Sequence, residues 1–331
     1  MDKEWNRIFN VTASGFENLA LEIFQYQYQF SSVYKAYVDM LKIDPQRVSS
    51  LLAIPFLPIQ FFKTHTVKTT DFNPAAEFVS SGTTQTANSH HVIKDIKLYQ
   101  QSFTEIFKLF YGSVDNWCII GLLPSYLERN DSSLVYMVNE LIHESHHSQS
   151  GFYLHEYEKL HQSLKQLEAD KQKTLLIGVG YALLDFAEQF PLQLKNTIVM
   201  ETGGMKGRKQ EIVRSELHEI LKKKFHVNAI HSEYGMTELL SQAYSLGDGI
   251  FHCPPWMKIL IRDEEDPFRV QNSGSEMFTS RGAINVIDLA NIYSCSFIAT
   301  DDAGTVFPDG SFELLGRIDN SDIRGCSLMT I

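Results

Sequence analysis

In several stretches of the chain, apolar residues recur every three or four positions, a spacing that predicts amphipathic helices. One or two helices are predicted between residues 14 and 42, where Phe16, Leu19 and Ile23 follow this spacing. The same pattern predicts further helices at Lys97–Gly112, Ser132–Ile142, Leu183–Gln189 and Lys209–Phe225.

Short apolar runs lie between these helices and predict buried strands. They are Trp117–Leu123, Thr174–Val179 and Asn196–Met200. Alternation of strands and helices favours an α/β fold in which crossover helices cover a parallel sheet. From about Phe251 the pattern changes to short alternating runs separated by Gly, Asp and Pro, which predicts a β-rich lobe. We therefore expect an α/β part over 1–250 and a β-rich part over 251–331.

Charge and cysteine usage narrow the class of protein. Among 331 residues, 40 are acidic and 29 are basic, giving a formal net charge of −11, which argues against a general nucleic-acid binder. No secretory signal follows the N-terminus, and no apolar run is long enough to span a bilayer. The cysteines are scattered without a CxxC pair: Cys118, Cys253, Cys295 and Cys326. We expect a cytoplasmic protein with reduced thiols, and Cys118, inside an apolar strand, in the core.

Four short motifs follow one another between Ser80 and Gly325. Ser80–Thr86 combines glycine with hydroxyl groups after a predicted strand, a composition that presents backbone and side-chain donors to an anion. Tyr234–Glu238 (YGMTE) offers an aromatic ring and a carboxylate. Thr300–Gly304 (TDDAG) offers acidic groups, and Gly316–Asp319 (GRID), followed by Arg324 and Gly325, offers cations. Together these are the groups that an enzyme joining a carboxylate to AMP requires.

The four motifs resemble the phosphate loop, the YGxTE motif, the TGD motif and the GRxD hinge of the adenylate-forming superfamily, which includes acyl-CoA synthetases, firefly luciferase and peptide-synthetase adenylation domains. Ile54–Lys63, Ala182–Glu188 and Arg324–Leu328 narrow the resemblance to the acyl-protein synthetase (LuxE-type) family, over nearly the whole chain. The resemblance implies the N-terminal domain of such enzymes: two βαβ sub-lobes with parallel-rich sheets and a small β-rich lobe, without the mobile C-terminal lobe.

The resemblance also implies an ATP site with bound Mg²⁺, in a cleft of the 1–250 part. Tyr234 would lie near the adenine, Thr237 would bind the α-phosphate, and Glu238 would hold Mg²⁺, which prefers oxygen ligands. The remaining ATP-binding residues implied are Ser80, Ser81, Gly82, Thr83, Thr84, Gln85, Thr86, Gly203, Gly204, Gly235, Asp302 and Arg317.

Two positions depart from the family pattern. Asp301 stands where the TGD motif has glycine, so a shift of one residue would put Asp301 in place of Asp302 on the ribose. The lysine that often ends the phosphate loop is missing, and His90 or His91 is a candidate for a substitute donor.

Cys326 is the predicted acyl acceptor, because the family carries its acylated cysteine near the C-terminus in a similar string. Transfer from an acyl-adenylate to a protein requires a thiolate, and the neighbouring Arg324 would lower the pKa of the thiol. The predicted function is ATP-dependent activation of a carboxylic acid, of the fatty type, followed by transfer to a protein thiol. An acyl-accepting protein, a reductase or an acyl carrier protein, is the expected partner.

Three alternatives remain open. A ligase could load coenzyme A or the phosphopantetheine of a carrier protein, leaving Cys326 unused. A non-catalytic subunit could dock a reductase or an acyltransferase. His143, Glu144 and His147 spell an HExxH pattern, which would suit a zinc hydrolase, although we favour a solvated helix end.

Overall fold

The computed structural model describes residues 5, 7–80, 88–123, 131–154, 156–203, 212–271 and 279–318. The α-helices of these residues are α1 (Phe16–Phe30), α2 (Ser32–Met40), α3 (Phe61–Thr64), α4 (Ile96–Tyr111), α5 (Ser133–Glu144), α6 (Tyr157–Ala169), α7 (Gly180–Gln189) and α8 (Arg214–Phe225). The strands are β1 (Leu57–Pro58), β2 (Ala76–Val79), β3 (His90–Ile93), β4 (Cys118–Leu122), β5 (Gly151–Phe152), β6 (Thr174–Gly178), β7 (Thr197–Glu201), β8 (His231–Tyr234), β9 (Ala243–Ser245), β10 (Ile250–His252), β11 (Met257–Arg262), β12 (Val270–Gln271), β13 (Ser280–Asp288), β14 (Phe297–Val306) and β15 (Phe312–Arg317).

Two compact units make up the chain. Residues 74–254 form the central unit, and residues 2–73 together with 255–331 form the terminal unit. The division expected from the sequence, 1–250 and 251–331, places residues 2–73 differently. These residues group with the C-terminal segment because they bond to it: the side-chain amide of Gln27 donates to the carbonyl oxygens of Asn291 (3.1 Å) and Ile292 (3.0 Å).

A mixed sheet forms the middle of the central unit, in the order β5-β4-β6-β7-β8-β9-β10. The strands from β5 to β8 pair in parallel, and β9 and β10 pair antiparallel. Helices α5, α6, α7 and α8 lie in the connections between successive strands from β4 to β8, as parallel pairing requires. Every residue of β4 and β6 is buried, which explains why both strands read as unbroken apolar runs.

A separate two-stranded ribbon, β2 paired antiparallel with β3, also belongs to the central unit. Its register places Phe78 opposite His91 and Val79 opposite His90. The ribbon matters for function because the segment that joins its strands is the hydroxyl- and glycine-rich motif at Ser80–Thr86.

The terminal unit contains an antiparallel sheet in the order β12-β11-β13-β14-β15, with β1 added parallel to β14. Phe297 of β14 is buried among aromatic rings of the first two helices, with ring centroids 6.3 Å from Phe24 and 6.2 Å from Tyr34. Aromatic pairs at this separation add to the stabilisation that burial provides. Helices α1 and α2 therefore contribute to the core of the β-rich unit.

The predicted elements agree closely with the observed ones. The helix predicted at Lys97–Gly112 is α4, and the strand predicted at Thr174–Val179 is β6. The helix predicted at Lys209–Phe225 is α8, but it begins at Arg214, because Val213 before it is extended. The α/β fold is confirmed. Among the described helices, none combines the length and the apolar character that crossing a bilayer would take.

Candidate functional site

The base of the predicted phosphate loop is a closed neck. The backbone N–H of Ser80 donates to the carbonyl oxygen of Ser89 (3.0 Å), and the N–H of Ser89 donates to Oγ of Ser80 (2.9 Å). Of the predicted loop residues, Ser80 lies in this neck, whereas Ser81, Gly82, Thr83, Thr84, Gln85 and Thr86 lie outside the described residues. These two hydrogen bonds, one between main-chain groups and one to a hydroxyl group, hold the two ends of the loop together.

Tyr234 ends β8, and the rest of the YGMTE motif leaves the sheet immediately after it. Tyr234 is buried, with its ring 6.1 Å from that of Phe251, and Gly235 is exposed. Thr237 is half-buried and Glu238 is 5% exposed. This segment lies at the carboxyl end of a parallel strand, where α/β sheets usually bind their ligands.

His91 joins the ribbon to this segment. Its Nδ1 lies 2.8 Å from the carbonyl oxygen of Thr237, and its side chain is 1% exposed. The neighbouring His90 is exposed and bonds through Nδ1 to Oε1 of Glu77 (2.7 Å). Between the two histidines suggested by the sequence, His91 therefore faces the predicted site.

Gly203 follows β7 in a left-handed conformation, with φ of 73°, which disfavours any residue with a Cβ. Its N–H donates to Oε2 of Glu201 (2.7 Å). A Cβ added at Gly203 would meet no atom of the described residues within 4 Å. The second predicted glycine, Gly204, lies outside the described residues.

Glu201, at the end of β7, is the centre of a buried charge cluster that the sequence motifs did not indicate. Its Oε1 lies 3.0 Å from Nε of Arg214 and 3.7 Å from Nε2 of His218, both on α8. Burial pushes the pKa of Glu201 up, but the imidazole of His218 and the charge of Arg214 outweigh it, so the pKa lies below its ordinary value. The carboxylate therefore stays charged and fixes the turn at Gly203.

Buried polar atoms without a hydrogen-bond partner collect at the ends of β7 and β8. Within the described part of the central unit, they include Oγ1 of Thr202, Oγ of Ser232 and Oε1 of Gln242. Glu201 and Ser232 are register partners, so these atoms flank Gly203 and Tyr234. Buried polar groups are nearly always bonded, and such a concentration of unmet capacity is typical of a ligand site.

Glu233 lies on the face of β8 opposite to that of Ser232 and Tyr234, beside its register partner Tyr244. Burial, and secondarily the negative charge of Glu201, raise the pKa of Glu233 to about 8. Its carboxyl group lies over Gly235, since a Cβ added at Gly235 would clash with Oε1 of Glu233. At neutral pH this carboxyl group is mostly protonated, next to the predicted nucleotide residues.

Asp302 and Arg317 lie in the terminal unit and face each other across β14 and β15. They are register partners, with Nε of Arg317 3.7 Å from Oδ1 of Asp302. Asp301, the alternative ribose ligand, instead accepts a hydrogen bond from Nε2 of Gln60 (2.5 Å). The pairing favours Asp302 as the partner of Arg317, and the role of both in binding ribose stays a prediction.

Arg262 is a second residue that the sequence motifs missed. Its guanidinium donates to the carbonyl oxygens of Ile284 (2.6 Å) and Thr300 (2.6 Å) and to Oδ1 of Asn285 (2.8 Å). The bond to Thr300 holds in place the residue that directly precedes Asp301 and Asp302. The only signal in the sequence is a charged residue that ends the apolar run of β11.

Cys326 lies outside the described residues, so its predicted role as acyl acceptor stays a prediction. Cys118 is fully buried in β4, which confirms its predicted place in the core.

The HExxH pattern does not form a zinc-type face, because α5 ends at Glu144 and His146 has a left-handed φ of 49°. Across the described ranges, no three His, Cys, Asp or Glu side chains group as metal ligands.

Solved structures share this fold. ATP-bound MatB from Rhodopseudomonas palustris is 18% identical with a TM-score of 0.54, and its alignment covers 75% of this chain and 50% of that one. The ATP-bound RpMatB-BxBclM chimera B3 is 19% identical with a TM-score of 0.55 and the same coverage. The chain thus spans about half the length of these proteins. No curated protein sequence gives a significant match.

The sequence also matches one protein family, described as "Acyl-protein synthetase, LuxE", over residues 11–330. The match includes all four motifs and both units. The protein therefore belongs to the acyl-protein synthetase (LuxE) family.

Proposed function

We propose that the protein uses ATP to activate a carboxylic acid as its acyl-adenylate and then passes the acyl group to a protein thiol. The observation that carries this proposal is the set of unpartnered buried polar atoms beside Gly203 and Tyr234, next to the Thr237–Glu238 segment. A nucleotide base would meet their hydrogen-bonding capacity, and among the described residues no atom within 4 Å of a Cβ at Gly203 would obstruct a planar ring. Family membership and the fold shared with ATP-bound MatB support the same reading.

In the first step, an oxygen of the carboxylate attacks the α-phosphorus of ATP. A new P–O bond forms, the bond to the β-phosphate oxygen breaks, and pyrophosphate leaves. Thr237 would hydrogen-bond an α-phosphate oxygen, while donors of the Ser80–Thr86 loop would hold the leaving group. Asp302 and Arg317 would hold the ribose.

Glu238 fits the role of a magnesium ligand in chemical type, since it is a buried carboxylate that adjoins Thr237. Mg²⁺, when bound, would neutralise charge on the phosphate oxygens.

In the second step, a thiolate attacks the acyl carbon, a thioester bond forms, the C–O bond to AMP breaks, and AMP leaves. We assign the thiol to Cys326, with onward transfer to a partner such as a reductase or a carrier protein. We propose a fatty acid as the first class of substrate to test.

Exchange of labelled pyrophosphate into ATP across a panel of acids tests the first step without knowledge of the acceptor. We expect exchange with at least one acid and its loss in Glu238→Gln. Absence of exchange with every acid in the panel would contradict activation and favour a non-catalytic role. Exchange with acyl-protein absent, but with acyl-CoA formed when coenzyme A is added, would move the acceptor from Cys326 to a soluble thiol.

A further inference from the structure

The ribbon that carries the phosphate loop and the segment that carries Thr237 and Glu238 are far apart in sequence. A hydrogen bond connects them directly, from Nδ1 of His91 to the carbonyl oxygen of Thr237, at 2.8 Å and between residues 146 positions apart. A carbonyl oxygen only accepts, so Nδ1 of His91 must carry the proton. The bond therefore fixes both the tautomer and the orientation of the imidazole.

His91 is itself held rigidly. It lies in β3, two residues after Ser89, whose bonds with Ser80 close the neck of the loop. Its side chain is 1% exposed and stands opposite Phe78 in the ribbon register. A buried imidazole on a paired strand has little freedom, so its bond can transmit the position of the ribbon to whatever it touches.

His91 bonds to the peptide group between Thr237 and Glu238, the two residues predicted to act on the phosphates of ATP. Thr237 would contact the α-phosphate through its hydroxyl, and Glu238, the next residue, would hold Mg²⁺. The segment has left β8 at Tyr234, so sheet pairing no longer orients it. A bond to the carbonyl of Thr237 therefore sets the place of both side chains at once.

We infer that His91 is a positioning residue for adenylation: it holds Thr237 and Glu238 beside the β2–β3 ribbon, whose strands the phosphate loop joins, through its bond to the carbonyl oxygen of Thr237. This inference rests on the proposed function. His91 does not touch the reacting atoms. Its effect is on geometry, and a displacement of about 1 Å in a reacting group can cost about 100-fold in rate.

The shape of imidazole provides a sharp test. Asparagine places its amide N–H where Nδ1 lies, whereas glutamine places it where Nε2 lies, and leucine offers no donor. We expect His91→Leu and His91→Gln to lower kcat for pyrophosphate exchange at least 10-fold with a smaller change in KM for ATP. We expect His91→Asn to recover most of the rate. His90→Asn is the matched control and should exchange like the wild type, because His90 is exposed and bonds to Glu77.

Thermal denaturation of each variant separates positioning from folding. A structural role alone would lower the midpoint and the rate of all three His91 variants together, without the difference between Asn and Gln, and that result would overturn the inference. Wild-type kcat in His91→Leu would overturn it as well. If the wild type exchanges with no acid, the proposed function fails first. Calorimetry of Mg·ATP binding then decides the inference. Binding that is at least 5-fold weaker in His91→Leu and restored in His91→Asn would support it. Any other pattern, including no binding by the wild type, would overturn it.

Discussion

Replacing Glu233 by Gln is expected to stabilise the protein at alkaline pH and to change little at acidic pH. Burial, with the charge of Glu201 as a second cause, raises the pKa of Glu233 from 4.5 to about 8. The folded protein therefore keeps a proton that the unfolded chain releases between pH 4.5 and 8. Unfolding loses a proton in this window, so the contribution of Glu233 to stability falls as pH rises through it.

The size of the effect follows from the pKa values. A rise from 4.5 to about 8 corresponds to at most about 5 kcal/mol at alkaline pH, at about 1.4 kcal/mol for each tenfold change. The Glu233 side chain is only half-buried, and water reaching it reduces this value, so we expect about 2 to 3 kcal/mol. Glutamine has nearly the shape of glutamic acid without the charge, so it fits beside Gly235 and Tyr244.

Chemical denaturation of the wild type and Glu233→Gln at pH 5, 7 and 9 measures the difference. We expect the free energy of unfolding of the variant to exceed that of the wild type by a margin that grows with pH. Glu158→Gln is a suitable control, because Glu158 is exposed on α6 and should give no trend. A margin for Glu233→Gln that is the same at pH 5 and pH 9 would refute the assignment of a raised pKa to this carboxyl group.

Three further outcomes are expected. Leu176→Ala removes a fully buried side chain from β6 and should lower the free energy of unfolding by about 2 to 5 kcal/mol in chemical denaturation. Equal stability would mean that this sheet face is not packed as described. Gly304→Ala places a Cβ 2.7 Å from the carbonyl oxygen of Glu313 and should cost about 1 to 3 kcal/mol, with Ala303→Gly as a milder comparison. Cys326→Ala should abolish the labelled acyl-protein band and keep pyrophosphate exchange. A band of full intensity would remove Cys326 as the acceptor.

Local patterns predicted most of the elements of the central unit. Strands β4 and β6 are buried on both faces, so every residue is apolar or small and the run is visible in the sequence. Helix α4 buries one face only, so its apolar residues recur at helical spacing. In both cases the burial of side chains follows the period of the strand or helix, and the apolar residues of the sequence follow the same period.

Contacts between distant segments left no such trace. The bonds from Gln27 to the stretch around Asn291 put the first helices into the terminal unit, although glutamine in an amphipathic helix is ordinarily exposed. The ion pair of Glu201 with Arg214 arises because the end of β7 lies beside the start of α8, which no spacing rule predicts. Such polar pairs depend on the tertiary fold, so single residues give no signal for them.

Two of the motif residues lie at the ends of adjacent strands, whereas the residues that contact the motifs have no signal in the sequence. Gly203 and Tyr234 lie at the ends of adjacent parallel strands, because βαβ connections bring carboxyl ends to one edge of the sheet. The bond between His91 and Thr237 could not have been chosen from the sequence over one involving His90. Strand alternation sends the two histidines to opposite faces, and only the register shows which face carries the site.

A crystal structure of the protein with a non-hydrolysable acyl-AMP analogue would show whether these residues form the nucleotide site. We expect the adenine beside Gly203 and Tyr234, with Ser232 or Thr202 bonded to it, and the phosphate-like group within hydrogen-bonding distance of Thr237. An analogue bound elsewhere on the chain, with Thr202, Ser232 and Thr237 making no contact to it, would rule out this site.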